Sequence, residues 1–195
     1  DTLLCSIEDD VLRAMVRTAL RAGLRYSELR GLQWTDIDQE RRQLTVQRAW
    51  ILKHLGPTKN YRTRHIPMTP DLATELAHLQ RTSDFVFDVR AKHSRQLELL
   101  KIECTLAGIP VVGWHSLRHS FASHLMTAGA PIHSVQTLLG HSSIEMTMRY
   151  SHLTPSVLRS AIDRLSDQNE FWATGRQPEV KAPFERNLEA TLHPQ

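Results

Sequence analysis

The chain has 195 residues, 41% of them hydrophobic and 23% charged, with a formal net charge of +3, a balance suited to one domain with a sizeable core. No apolar run approaches the roughly 20 residues that cross a bilayer and no secretory apolar segment is present, so no membrane partner is expected. Its two cysteines, Cys5 and Cys104, stand in no ligand spacing, which excludes a disulfide framework and predicts free, buried thiols in a reducing cytoplasm.

The chain opens at Asp1 without a methionine, as expected of a processed product or an excised piece with native sequence missing upstream. Ser6 and Asp9 have capping-box spacing. Behind them Val11, Leu12, Met15, Val16, Ala19 and Leu20 repeat at helical spacing, and Gly23 sits where a C-terminal cap belongs. A second short helix should start near Ser27 and carry Leu29, Leu32 and Trp34, which puts Arg25 on the joint between two helices. From Gln43 the pattern turns strand-like. Leu44 and Val46 share a face, and "AWILKHLGPTKNYRTRHIPM" reads as further strands broken at Gly56-Pro57, with Lys59 at or near a hairpin turn.

Helical character resumes at Thr69-Pro70, and helices are expected over 70–80, 93–107, 116–128, 131–139, 143–150 and 155–165. Gly108, Gly129 and Gly140 punctuate them, Pro131 and Pro155 occupy helix starts, and Ser142 with Glu145 repeats the capping-box spacing. After Asp167 the periodicity is lost, so 168–195 reads as a tail behind a domain of residues 1–167. The predicted fold class is α+β, mainly α-helical, with a small antiparallel β-sheet near residues 43–67.

Between Arg41 and His65 lie Arg42, Arg48, Lys53, Lys59, Arg62 and Arg64 with no acidic residue. Such a run suits either a phosphate-neutralising surface or a solvated hairpin. In "GWHSLRHSFASHL", His115 and Arg118 stand three apart on one face of a helix start, with His119 four beyond His115. A metal site on the two histidines would place Arg118 beside the ion and lacks a glutamate in HExxH spacing, so no metal is expected. His119 and His124 read as packing histidines. Phosphate suits the pair better, because arginine offers a fork of donors matched to two phosphate oxygens. Taken singly, Arg25 also fits a loop cation, Lys59 a turn residue, His141 a helix-end histidine and Tyr150 a packing aromatic.

Together and in order, "AGLRYSELRGLQWTDID", "GPTKNYRTRHIP", "HSLRHSFASHL", "LLGHSS" and "TMRYSHL" resemble the catalytic domain of the tyrosine recombinases, the phage integrase family, from about Asp9 to Leu165. The resemblance implies that family's fold and its site residues. Arg25 resembles the first catalytic arginine and Glu28 the acidic residue that supports it. Lys59 matches the lysine of the strand hairpin, where Lys53 also lies. His115 and Arg118 match the HxxR pair, His141 the histidine of "LLGH", and Tyr150 the nucleophile. Arg62, Arg64 and Arg149 are the further residues expected to contact DNA.

The implied reaction cleaves and rejoins DNA strands through a 3′-phosphotyrosyl link, with His115 as base for Tyr150 and no cofactor, metal or ATP. Implied partners are double-stranded DNA and other copies of the chain, as a tetramer on paired sites, the isolated domain being monomeric. An N-terminal DNA-binding domain, absent here, would complete the clamp, and the tail would dock onto a neighbouring protomer. The implied setting is the cytoplasm, on a bacterial or phage-derived nucleoid. Alternatives are type IB topoisomerase-like relaxation and a catalytically silent DNA-binding remnant.

Overall fold

The computed structural model describes residues 2–51, 54–58, 63–88 and 93–153, all within a unit of residues 1–155. The expected helix over 155–165, the boundary after Asp167 and the tail lie outside the described residues, as do Lys53, Lys59 and Arg62.

The first long helix, α2 (Asp10–Ala22), follows a short α1 (Thr2–Ser6). Its N-cap is Asp9 alone, whose carboxylate accepts the Leu12 N–H at 2.7 Å. Ser6 instead closes α1 by donating to the Leu3 carbonyl at 2.9 Å, so the expected Ser6–Asp9 box does not form. A carboxylate facing the helix's positive end needs no partner. Gly23 ends α2 with φ of 64°. A Cβ there would also lie 2.3 Å from the Phe121 ring, so its absence lets α6 (Trp114–Thr127) cross the end of α2 closely. The next helix, α3 (Tyr26–Gly31), starts directly after Arg25.

Among the described residues the strand region forms two antiparallel sheets rather than the single one expected. In the first, β2 (Gln43–Val46) lies between β1 (Ile37–Asp38) and β5 (Arg64–Pro67). Leu44 pairs with Ile66 and Val46 with Arg64. Strand alternation therefore sends Arg64 and Ile66 to the same, buried face. In the second, β3 (Arg48–Ile51) pairs with β4 (His54–Pro57). The break expected at Gly56-Pro57 falls after Pro57, because an edge strand tolerates a residue without an N–H.

Helices α4 (Pro70–His78), α5 (His93–Leu106), α6, α7 (Ile132–Leu139) and α8 (Glu145–Met148) follow. Helix α6 begins two residues before the expected start, which takes His115 into its first turn. The Ser142–Glu145 box is absent: the Ser142 hydroxyl bonds the Met146 sulfur at 3.7 Å, and Ile144, already helical, precedes α8. One core gathers Leu12, Met15, Leu29, Leu44, Ile66, Leu72, Phe87, Leu100 and Leu117. A second, smaller one gathers Phe121, Ala122, Met126, Val135, Leu139 and Tyr150. Both cysteines are free, Cys104 buried as expected and Cys5 exposed. Among the described residues no helix is long and apolar enough to cross a membrane.

Candidate active site

The site grows from the joint between α2 and α3. Arg25 caps α3 in extended geometry. Its backbone N–H donates to Glu28 Oε2 at 2.8 Å and its Nη1 to Oε1 at 2.9 Å. Glu28 is 1% exposed, and a buried carboxylate stays charged only when paired. Burial opposes its ionisation, but hydrogen bonds and charge from Arg64, then Arg25, outweigh it and hold its pKa below the usual carboxylate value.

Arg64 supplies the larger share. From β5 it donates to Oε1 at 3.0 Å and Oε2 at 2.7 Å, while its Nε donates to the Leu138 carbonyl at 2.9 Å. The expectation that Arg64 contacts DNA is therefore corrected. Strand alternation turns it inward with Ile66, and its guanidinium is engaged by Glu28 and the end of α7.

Arg118 works in parallel. Its Nη1 donates to the Gly23 carbonyl at 2.6 Å and its Nη2 to the Leu139 carbonyl at 2.5 Å. These are carbonyls at the ends of α2 and α7, which lack partners within their own helices and carry the negative end of the dipole. With Glu28 3.9 Å away, Arg118 and Arg25 are brought around one carboxylate. Burial first, then Arg25, lowers the Arg118 pKa to about 9, which leaves it charged at neutral pH.

Helix α7 ends at Gly140, φ 64°, and the turn beyond it presents His141. The His141 Nδ1 lies 2.9 Å from the hydroxyl of Thr147, a fully buried residue of α8. If Thr147 donates, the ring proton sits on Nε2. The same turn thus ties His141 to the short helix that delivers Tyr150, whose N–H bonds the Thr147 carbonyl at 3.0 Å. Burial, then Arg118, Arg25 and Arg149, brings His141 down to about 4.

A cavity of about 280 Å³ opens over these groups, lined by Arg25, His115, Arg118, His119, His141, Ser142, Met146, Arg149 and Tyr150. Three arginines share it with three imidazoles, so it is a place for an anion. Tyr150 is 6% exposed. Its pKa is raised by burial, against the opposing pull of Arg149 and Arg118.

Of the residues expected from sequence, Arg25, His115, Arg118, His141, Tyr150 and Arg149 line this cavity and Glu28 lies beneath it. Lys59 and Arg62 lie outside the described residues. One expectation changes: the hydrogen-bond partner of the Tyr150 hydroxyl is His119 Nδ1, not His115, whose ring meets the His119 ring edge-on at 4.4 Å. By sequence alone His119 reads as a packing histidine. Its spacing, one helical turn from His115 and adjacent to Arg118, was the available signal. Thr147, which anchors His141, carries no such signal. Among the described residues no group of three or more His, Cys, Asp or Glu is placed to hold a metal ion.

The profile of the phage integrase family matches residues 4–156. The chain is 31% identical over 192 residues to a tyrosine recombinase XerC-like protein of Caldanaerobacter subterraneus, covering 80% of this chain and 49% of that protein. It is 35% identical over 163 residues to tyrosine recombinase XerA of Pyrococcus furiosus, covering 78% and 54%. The chain thus spans about half the length of the curated relatives it matches. Among solved structures, the catalytic domain of bacteriophage HP1 integrase superposes with a TM-score of 0.63 at 28% identity, covering 90% of this chain and 93% of that one. A crystal structure of XerA recombinase gives 0.64 at 25%, covering 84% and 60%. Fold, cavity and sequence meet in one conclusion: the chain belongs to the phage integrase family, the tyrosine recombinases.

Proposed function

We propose that this chain is the catalytic domain of a site-specific DNA recombinase that cuts and rejoins strands through a 3′-phosphotyrosyl intermediate. One observation carries the reading: Arg25, Arg118, His115 and His141 line a single cavity together with Tyr150. The relatives' names, and a transposon integrase of the same fold whose structure is described as a complex with transposon right end DNA, support duplex DNA as the substrate.

Tyr150 Oη attacks the phosphorus, the P–O5′ bond breaks, and the strand stays linked to the protein by its 3′ phosphate. Negative charge grows on the non-bridging oxygens as the transition state forms. Arg25 and Arg118 brace those oxygens, and fixed donors of this kind are worth about 3–4 kcal/mol each by analogy with oxyanion holes. His115 and His141 add hydrogen bonds to the same phosphoryl group. Lys59 protonates the departing 5′ oxygen. Attack by another strand's 5′ hydroxyl reverses the steps and reseals without ATP, because the linkage is conserved in the phosphotyrosine.

Recombination joins two sites, so the working form is a tetramer on paired DNA, with an N-terminal domain closing the clamp and the 168–195 tail linking protomers. Arg62 and Arg149 hold flanking phosphates, which makes binding salt-sensitive. The test is incubation of the chain with duplexes nicked within a random-sequence window. The wild type yields a covalent protein–DNA adduct, with or without EDTA, and Tyr150→Phe yields none. Adducts of equal yield from both proteins would remove Tyr150 from its role. Plasmid relaxation without two-site exchange by the full-length protein would favour the topoisomerase reading.

A further inference from the structure

Attack by a phenol needs somewhere for its proton to go. Tyrosine ionises near 10 in water, and here burial raises that further, so standing phenolate is scarce at neutral pH. The acceptor must touch Oη during the reaction. Among the described residues, the group that hydrogen-bonds this hydroxyl is the Nδ1 of His119, with ring centroids 5.7 Å apart.

We propose, on the reading above, that His119 is the general base for Tyr150 in cleavage and the general acid in rejoining. As the bond between Oη and phosphorus forms and the P–O5′ bond breaks, the phenol proton passes to His119 Nδ1. The leaving oxygen takes its own proton from a separate donor, Lys59 in this reading. On resealing, the attacking 5′ hydroxyl gives its proton back to Lys59 as its bond to phosphorus forms, and His119 returns the other proton to Oη as the phosphotyrosine bond breaks.

The surroundings suit this cycle. An acceptor must begin neutral, and burial and the neighbouring charges keep it so. Burial acts first, and His115 and Arg118 from its own helix and Arg149 from the turn after α8 press in the same direction. His141 approaches from the turn after α7, also held neutral. None of these named neighbours, among the described residues, is a carboxylate. With the lone pair on Nδ1, the ring proton sits on Nε2. Transfer from a raised phenol to a lowered imidazole is strongly uphill in the resting protein, so it is concerted with bond formation to phosphorus. The phosphate itself, once bound, brings the negative charge that eases protonation of the ring.

The division of labour on α6 follows. His115 and Arg118 address the phosphate, and His119, one turn along, addresses the nucleophile. His119 is also a separate residue from the HxxR histidine, so the two roles can be separated by mutation.

The experiment measures single-turnover adduct formation on the random-window nicked duplexes between pH 5 and 9. It compares the wild type with His119→Asn, His119→Gln and His115→Asn, after thermal melts establish that each variant is folded. Asparagine can keep the hydrogen bond to Tyr150 but cannot take a proton. The wild-type rate is expected to rise with pH through one ionisation and then level. Both His119 variants are expected to fall by at least about 10²-fold, in the range of general-base catalysis, and to lose that ionisation; His115→Asn is expected to keep it. In the DNA-free protein, the Nδ1 resonance of ¹⁵N-labelled His119 should carry the acceptor tautomer and shift in Tyr150→Phe. The proposal is overturned if His119→Asn retains the wild-type rate and profile, if the ionisation follows His115 instead, or if Nδ1 carries the ring proton. Absence of adduct from the wild type would sink the recombinase reading itself, a result distinct from any of these.

Discussion

Arg64 donates to both oxygens of Glu28, at 3.0 and 2.7 Å, with the pair all but sealed from water. This contact fastens strand β5 to the helix that orients Arg25, and the third bond from Arg64, to Leu138, fastens both to the end of α7. Cavity-lining groups from distant parts of the chain are thereby held in register from below. Breaking a buried pair by removing one partner leaves an uncompensated charge and costs about 3–5 kcal/mol. Arg64→Ala is expected to lose stability of that size in urea denaturation, and Arg64→Lys to recover only part, because an ammonium cannot bridge both oxygens. A loss below about 1 kcal/mol would contradict the role. Glu28 adds an acid limit: its folded pKa is lowered, so its contribution is present above the unfolded value and is lost as pH falls through the folded one.

The histidines set a second, higher window. His141 is held at about 4 and His115 and His119 are both lowered, whereas an unfolded histidine ionises near 6.5. The sign is that of groups buried neutral. Their contribution is complete above about 6.5, and between there and about 4 the unfolded chain binds more protons, so stability falls as pH falls. Urea denaturation at pH 7.5 and pH 5 should show this loss, and His141→Asn should make it smaller. A bound duplex should move the decline to lower pH by selecting the folded state.

Gly23 is held by two independent constraints, a φ of 64° and the Phe121 ring 2.3 Å from any Cβ. Gly23→Ala adds left-handed strain to an overpacked helix crossing, a combined cost of about 2–5 kcal/mol. Because the Gly23 carbonyl also receives Arg118, the substitution should lower cleavage in protein that remains folded. A Phe121→Leu second change should restore part of the stability by giving the new methyl room. If Gly23→Ala melts like the wild type, the close crossing is not needed.

The arginines are expected to act on the rate more than on binding. Arg25→Lys keeps a positive charge but not the fork of donors, and should slow adduct formation about 10²–10³-fold, the loss typical of one missing oxyanion donor. Duplex affinity, dominated by many phosphate contacts, should change far less. Single-turnover rates and filter binding measured in one salt concentration separate the two. Equal losses in both would mean that Arg25 only binds.

The helices α2 to α7 and their punctuating glycines were legible in the sequence because helical periodicity and left-handed caps are local properties. So was most of the cavity, since the ordered blocks around Arg25, His115 and Tyr150 carry the family resemblance. What escaped was decided across the fold. Arg64 reads as one cation in a basic run, and only pairing of Val46 with Arg64 beside Leu44 with Ile66 turns it inward. His119 looks like a packing residue until the turn after α8 brings Tyr150 to it. Capping boxes at Ser6 and Ser142 failed for a smaller reason: the spacing was present, but each hydroxyl bonds a different partner.

The central claim is that a phenol in this cavity becomes joined to DNA, and peptide mapping of the covalent product tests it most directly. After nuclease digestion, mass spectrometry should locate a single nucleotide attached through its 3′ phosphate to the peptide containing Tyr150. Attachment through a 5′ phosphate, or at any other side chain, would contradict it.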